Sequence, residues 1–107
     1  METKTVTPPP DFALPEFIQK DLAQVIEILK NHKVERIILY GSFARGDYAT
    51  GSDLDLGVEG IPAEEYFRAW ADVLMSAQRR ISLLDLDRVH GYLRERILSE
   101  GRVVYAI

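Results

Sequence analysis

Apolar residues recur at helical spacing early in the chain: Ile18, Leu22, Val25, Ile26 and Leu29 share one face. That spacing predicts an amphipathic helix from residue 15 to about residue 31. Pro15 suits its first turn, and Glu16 sits near the positive end of its dipole. The period then changes. Residues 34–40 (VERIILY) are few and rich in β-branched types, which predicts a buried strand that stops at Gly41. A short helical turn fits residues 43–45, and residues 47–51 read as a loop. Residues 52–58 alternate polar and apolar, as a strand with one wet face does. Gly60 ends that element and Pro62 opens a second long helix. Tyr66, Phe67, Trp70, Val73, Leu74 and Ala77 predict its apolar stripe. Residues 81–86 predict a third strand, and residues 92–100 a last helix that stops at Gly101, read as a C′ residue. Residues 102–107 predict a closing strand. The order α-β-β-α-β-α-β predicts an α/β or α+β fold, a small sheet covered by helices.

Composition narrows the classes. At 107 residues the chain predicts one domain. Residues 1–14 hold Pro8, Pro9 and Pro10 and few apolar positions, so they read as a flexible tail ahead of a domain at 15–107. The 47% hydrophobic and 28% charged content excludes general disorder. With 13 Lys+Arg against 17 Asp+Glu the net charge is −4, which lacks the field that drives nucleic-acid binding. The absence of cysteine excludes disulfides, thiol catalysis and Cys-ligated zinc. No apolar run approaches the ~20 residues of a membrane helix, and the N-terminus lacks a signal-peptide pattern. The expected location is the cytoplasm. Two histidines, His32 and His90, are too few for most His-based metal sites.

The chemistry concentrates in Gly41-Ser42-Phe43-Ala44-Arg45-Gly46 and Ser52-Asp53-Leu54-Asp55-Leu56. Asp53 and Asp55, two apart on a predicted strand, project from one face with Cα atoms ~6.5–7 Å apart. Two such carboxylates suit magnesium, a hard cation that prefers oxygen ligands and keeps sites for water and phosphate. Paired metals can stabilise both oxygens of an in-line phosphoryl displacement. Gly41 and Ser42 follow directly on a buried strand, where glycine lets backbone approach a bulky ligand and N–H groups attract anions. Arg45 could contact a phosphate. Each piece alone has a plainer reading as a turn, a solvated strand face or a surface arginine; the combination carries the signal.

That combination resembles the minimal nucleotidyltransferases (MNT) of the DNA polymerase β superfamily, whose pattern runs Gly-Ser-x-Ala-Arg-Gly…Ser-Asp-x-Asp-Leu. Gly41, Ser42, Ala44, Arg45, Gly46, Ser52, Asp53, Asp55 and Leu56 match it, and the likeness extends over nearly the whole chain from Pro15. The resemblance implies a nucleotidyltransferase fold with a mixed sheet. It implies nucleotide binding by Gly41, Ser42, Arg45 and Ser52, and magnesium on Asp53 and Asp55. The implied reaction moves a nucleoside monophosphate, AMP from ATP, to a hydroxyl, with pyrophosphate leaving. It also implies a helical HEPN (higher eukaryotes and prokaryotes nucleotide-binding) partner in a toxin–antitoxin pair, since the chain has no length for an acceptor-binding domain; an oligomer is compatible with this.

One position departs from the family. Active members carry a third acid on a later strand, and the alignment of Ile81-Ser82-Leu83-Leu84-Asp85-Leu86 sets Ser82 in its place. Asp85 is the substitute candidate for a catalytic role. On a regular strand it faces away from Ser82 and lies ~10 Å further on, unless a bulge turns it inward. Two readings follow: a magnesium-dependent nucleotidyltransferase, or an impaired relative that neutralises its partner by binding. Tyr40 and Tyr48 flank the motif, and either could pack near a nucleotide base. Trp70, Tyr66 and Phe67 read as core, and Arg79 and Arg80 as a solvated helix end.

Overall fold

The structure is a computed structural model and describes residues 14–107. The predicted tail lies outside the described residues except for Leu14, which is half-buried against the core. Helix α1 spans Glu16–Lys30, strand β1 Arg36–Tyr40, helix α2 Ser42–Arg45 and strand β2 Leu54–Glu59. Helix α3 spans Ala63–Ser76, strand β3 Ile81–Asp85, helix α4 Tyr92–Glu100 and strand β4 Arg102–Ala106. A single 3₁₀ turn, Leu86–Arg88, follows β3.

The four strands lie in the order β3-β2-β1-β4. β1 runs antiparallel to both β2 and β4, and β2 runs parallel to β3, so the sheet is mixed. Alternation along the strands divides the apolar residues between two faces. One face sends Ile37, Leu39, Leu54, Leu56, Val58, Ile81 and Leu83 against Ile18, Leu22, Val25 and Leu29 of α1 and Ala69 and Val73 of α3. The opposite face carries a much smaller cluster, in which Ile38 and Leu86 meet Ile97 of α4. Arg94 of α4 also donates to Leu86 O and to Glu59 Oε2 (2.9 Å), tying the helix to the sheet.

Three local readings need correction. The buried stripe of α3 is Ala69 and Val73 flanked by half-buried Tyr66 and Trp70. Phe67 and Leu74 instead point outward, at 71% and 56% exposure, because the Tyr66 hydroxyl donates to Leu83 O (2.7 Å) and sets the helix's rotation. Gly101 does not close α4 in a left-handed conformation: its φ is −77°. Its side is filled instead by the Ile38 side chain and the Leu39 carbonyl, where a Cβ has no room. Asp53 precedes β2 rather than lying within it; the strand starts at Leu54, whose N–H donates to Arg80 O (3.0 Å). Among the described residues no helix is long and apolar enough to cross a membrane.

Candidate active site

The end of β1 supplies the first wall. Tyr40 closes the strand, and Gly41 turns the chain at φ 77°, ψ −155°, a combination only glycine adopts without strain. Gly41 O then accepts from Ala44 N (3.1 Å) and Arg45 N (3.0 Å), which starts α2. Phe43 and Ala44 point into the main core, so Ser42 and Arg45 are left on the outer side of the turn.

Strand register brings the acids to the same place. Tyr40 pairs with Asp55 across β1 and β2, and Asp55 pairs with Ser82 across β2 and β3. These three side chains therefore stand in one row on one sheet face. Asp55 lies directly against the turn: a Cβ on Gly41 would overlap its Oδ2 and stand 3.0 Å from its Cγ. The glycine thus makes room for the carboxylate as well as for the chain's reversal.

Gly41, Ser42, Arg45, Tyr40 and Asp55 line a cleft of about 320 Å³. Its far wall is α4, which contributes Leu93, Arg96, Ile97 and Glu100. Sequence reasoning missed that wall. Its signal is a mixed stripe at spacing i, i+3, i+4, i+7 that is neither the core stripe nor a fully polar face.

The electrostatics suit cations and anions together. Burial raises the Asp55 pKa, the charge of Asp53 raises it further, and Arg45 opposes both. Burial also raises the Tyr40 pKa, with Asp55 adding to it and a hydrogen bond to Ser82 working against it. Two carboxylates that repel each other across a partly dry site gain from a divalent ion between them.

The remaining predicted residues are placed as follows. Asp53 accepts from Arg80 Nε at 2.9 Å in an exposed pair; it does not line the cleft, and it acts there through its charge on Asp55. Ser52 lies in the loop before it: its Oγ accepts from Ala49 N (2.8 Å) and its N–H donates to Ala49 O (3.0 Å), closing a tight turn. The Ser52 hydroxyl is therefore engaged in shaping the loop and does not line the cleft. Arg79 is no free helix end. It donates to Thr50 O (3.1 Å) and Ser52 O (3.4 Å) and pairs with Asp21 at 3.3 Å, pinning the loop that delivers Asp53 onto α1. Tyr48 stacks on Phe43 (4.8 Å between ring centroids), so of the two flanking tyrosines only Tyr40 reaches the cleft.

Asp85 is not brought to the site. It pairs with Val58, three residues along β3 from the Asp55–Ser82 pair, and shares the face of Ile81 and Leu83. No bulge interrupts β3, and the carboxylate is committed: Oδ1 accepts from Asp87 N (3.2 Å) and Oδ2 lies 3.3 Å from Arg88 Nε. It is a cap for the 3₁₀ turn, and Asp87 within that turn accepts from Gly60 N at 2.8 Å. Ser82, beside Asp55, occupies the row in which a third acid would stand.

Among the described residues no cluster of three or more acidic or histidine side chains forms a ready metal cage. The donor set fits magnesium in its usual form, held by one or two carboxylates with the rest of its shell from phosphate and water. Asp53 and Asp55 would hold it, Asp55 from its place against the Gly41 turn.

The fold and this turn-plus-acid pair define a nucleotidyltransferase domain. The chain belongs to the family described as Polymerase beta, Nucleotidyltransferase, which matches residues 23–107. It is 30% identical over 81 residues to "Putative protein adenylyltransferase MJ0435" of Methanocaldococcus jannaschii, covering 73% of this chain and 87% of that one. Among solved structures it is similar in fold to a toxin–antitoxin complex with AMP-PNP, at TM-score 0.67 and 19% identity, over 79% of this chain and 73% of that chain. It is also similar to a complex of tri-AMPylated Shewanella oneidensis HEPN toxin with MNT antitoxin, at TM-score 0.63 and 17% identity. That match covers 83% of this chain and 72% of that chain.

Proposed function

We propose that the protein transfers AMP from ATP to a hydroxyl group on a helical HEPN-type partner protein, in the cytoplasm, with magnesium as the cofactor. The observation that carries this reading is the closeness of Asp55 to Gly41: the acid and the glycine turn share one cleft with Ser42 and Arg45. Gly41 and Ser42 would receive the triphosphate, and Arg45 would balance its charge. Asp53 and Asp55 would hold magnesium, which when bound neutralises phosphate charge and orients the α-phosphorus. The acceptor hydroxyl gives up its proton to water as its oxygen forms a bond to that phosphorus; the bond to the bridging oxygen breaks, and pyrophosphate leaves. In this reading the acceptor hydroxyl belongs to a second molecule. The names of the relatives support a protein acceptor: one is called a protein adenylyltransferase, and another is bound to an AMPylated HEPN toxin.

A second reading rests on Ser82. With serine beside Asp55, the row holds no third acid to take the acceptor's proton, and the chain could act as a binding module that neutralises its partner by occlusion.

One experiment separates the two. The protein is incubated with ATP, magnesium and a HEPN protein encoded beside it, and the partner's intact mass is measured. A gain of one AMP that is lost in Asp53→Asn supports transfer. No gain, with a tight complex that survives Asp53→Asn, supports the binding module. Ser82→Asp is expected to raise the rate of labelling about 10²-fold or more, the scale of a positioned general base; an unchanged rate would show that this position is not the third-acid slot.

A further inference from the structure

Glu100 is the last residue of α4, where the helix dipole disfavours an acid. Helical preference alone would place a basic residue there. What the carboxylate touches accounts for its position. It accepts from Arg96 Nη2 (3.1 Å) and Nε (3.3 Å), and its other oxygen lies 3.7 Å from Arg45 Nη1. Both guanidinium groups line the cleft, one from each wall. One carboxylate thus gathers two cations at the place where the polyphosphate would enter.

We infer that Glu100 is an internal stand-in for nucleotide phosphate, and that Arg96 is a phosphate-contacting residue from which the nucleotide displaces it. The inference rests on the nucleotidyl-transfer reading above. Guanidinium groups bind phosphate through bidentate forks, and a triphosphate presents more charge than one carboxylate. All three side chains are half-exposed, so the Glu100 pairs are weak and exchange readily. Neither arginine is stranded when Glu100 lets go: Arg45 keeps Asp47 at 3.3 Å, and Arg96 lies 5.9 Å over the Tyr92 ring. In the free protein Glu100 engages both cations; with nucleotide bound it is released to solvent. Its charge then lowers affinity by competition.

The test is calorimetric binding of magnesium–ATP, and separately of tripolyphosphate, which has no base or sugar. Glu100→Gln keeps the side chain's shape and removes its charge; thermal melting checks that each variant folds. At low salt it is expected to bind both probes about fivefold more tightly, with the gain shrinking as salt rises. Arg96→Gln is expected to weaken both about tenfold, and Arg96→Lys to recover part of that, keeping charge without the fork. Unchanged or weaker binding by Glu100→Gln overturns the inference, as does Arg96→Gln binding like the parent. If the parent protein binds neither probe, the nucleotidyl-transfer reading falls and takes this one with it. If the parent binds and only the Glu100 variant fails to tighten, this inference alone falls.

Discussion

Replacing Gly41 by alanine tests the site at its narrowest point. At φ 77°, ψ −155° the residue occupies backbone space that is essentially closed to side chains, and strain there costs ~1–3 kcal/mol. Taking about 2 kcal/mol, and ~4–8 °C of melting temperature per kcal/mol for a domain of this size, the midpoint should fall by roughly 8–16 °C. A second effect is chemical. The new methyl group overlaps Asp55 Oδ2 and crowds its Cγ at 3.0 Å and Cβ at 3.2 Å, so the carboxylate must swing out of the cleft. Thermal melting followed by circular dichroism reads the first effect, and magnesium–ATP calorimetry reads the second. Adding Asp55→Ala to Gly41→Ala should return part of the stability, because it removes the oxygen and carbon that clash while leaving the backbone strain. If Gly41→Ala melts within a degree or two of the parent and binds magnesium–ATP equally well, the reasoning about this turn is wrong.

Three further outcomes are expected. Folded Asp55 has a raised pKa, so ionising it costs the native state more than the unfolded chain. Asp55→Asn should therefore melt higher than the parent near pH 7, lose that advantage below about pH 4, and no longer bind magnesium–ATP. His32 sits between Glu65 Oε1 (2.8 Å) and Asp72 Oδ2 (2.6 Å), and its hydrogen bond to Glu65 leads in raising its pKa. Its contribution to stability is fully present below about pH 6.5 and is lost as pH rises through the folded value, so urea midpoints should decline there and His32→Gln should flatten the decline. Asp85→Ala should cost about 1 kcal/mol by uncapping the 3₁₀ turn while magnesium–ATP affinity stays within about twofold; loss of binding would return Asp85 to the site.

Gly41, Ser42, Arg45 and Asp55 of the cleft were legible because they are local in the chain. Gly41 and Ser42 follow a β-branched run, and Asp53 and Asp55 sit in an alternating one, so period and spacing carry the information. The face assignment of Ser82 and Asp85 was also legible, since side chains alternate along an unbroken strand. The wall was not legible. Leu93, Arg96 and Glu100 share a face of α4 at helical spacing, but they reach the cleft only because α4 crosses the sheet's second face, a tertiary fact that the spacing does not carry. The outward turn of Phe67 and Leu74 was hidden for a related reason: a stripe this wide fits two rotations of α3, and the Tyr66 hydroxyl bond to a distant strand decides between them. The role of Arg79 likewise depends on carbonyls almost thirty residues away.

The unequal size of the two apolar clusters has a consequence for how such a protein diversifies. The carboxylates and the glycine turn are rooted in strands locked by the larger cluster, where most substitutions would threaten folding. The opposing helix is secured chiefly by Ile97 and the Arg94 fork, and the rest of its surface is free of folding duty. Mutations there are cheap in stability, so a lineage can retune that wall of the cleft, residue by residue, while the strands that carry the carboxylates stay as they are.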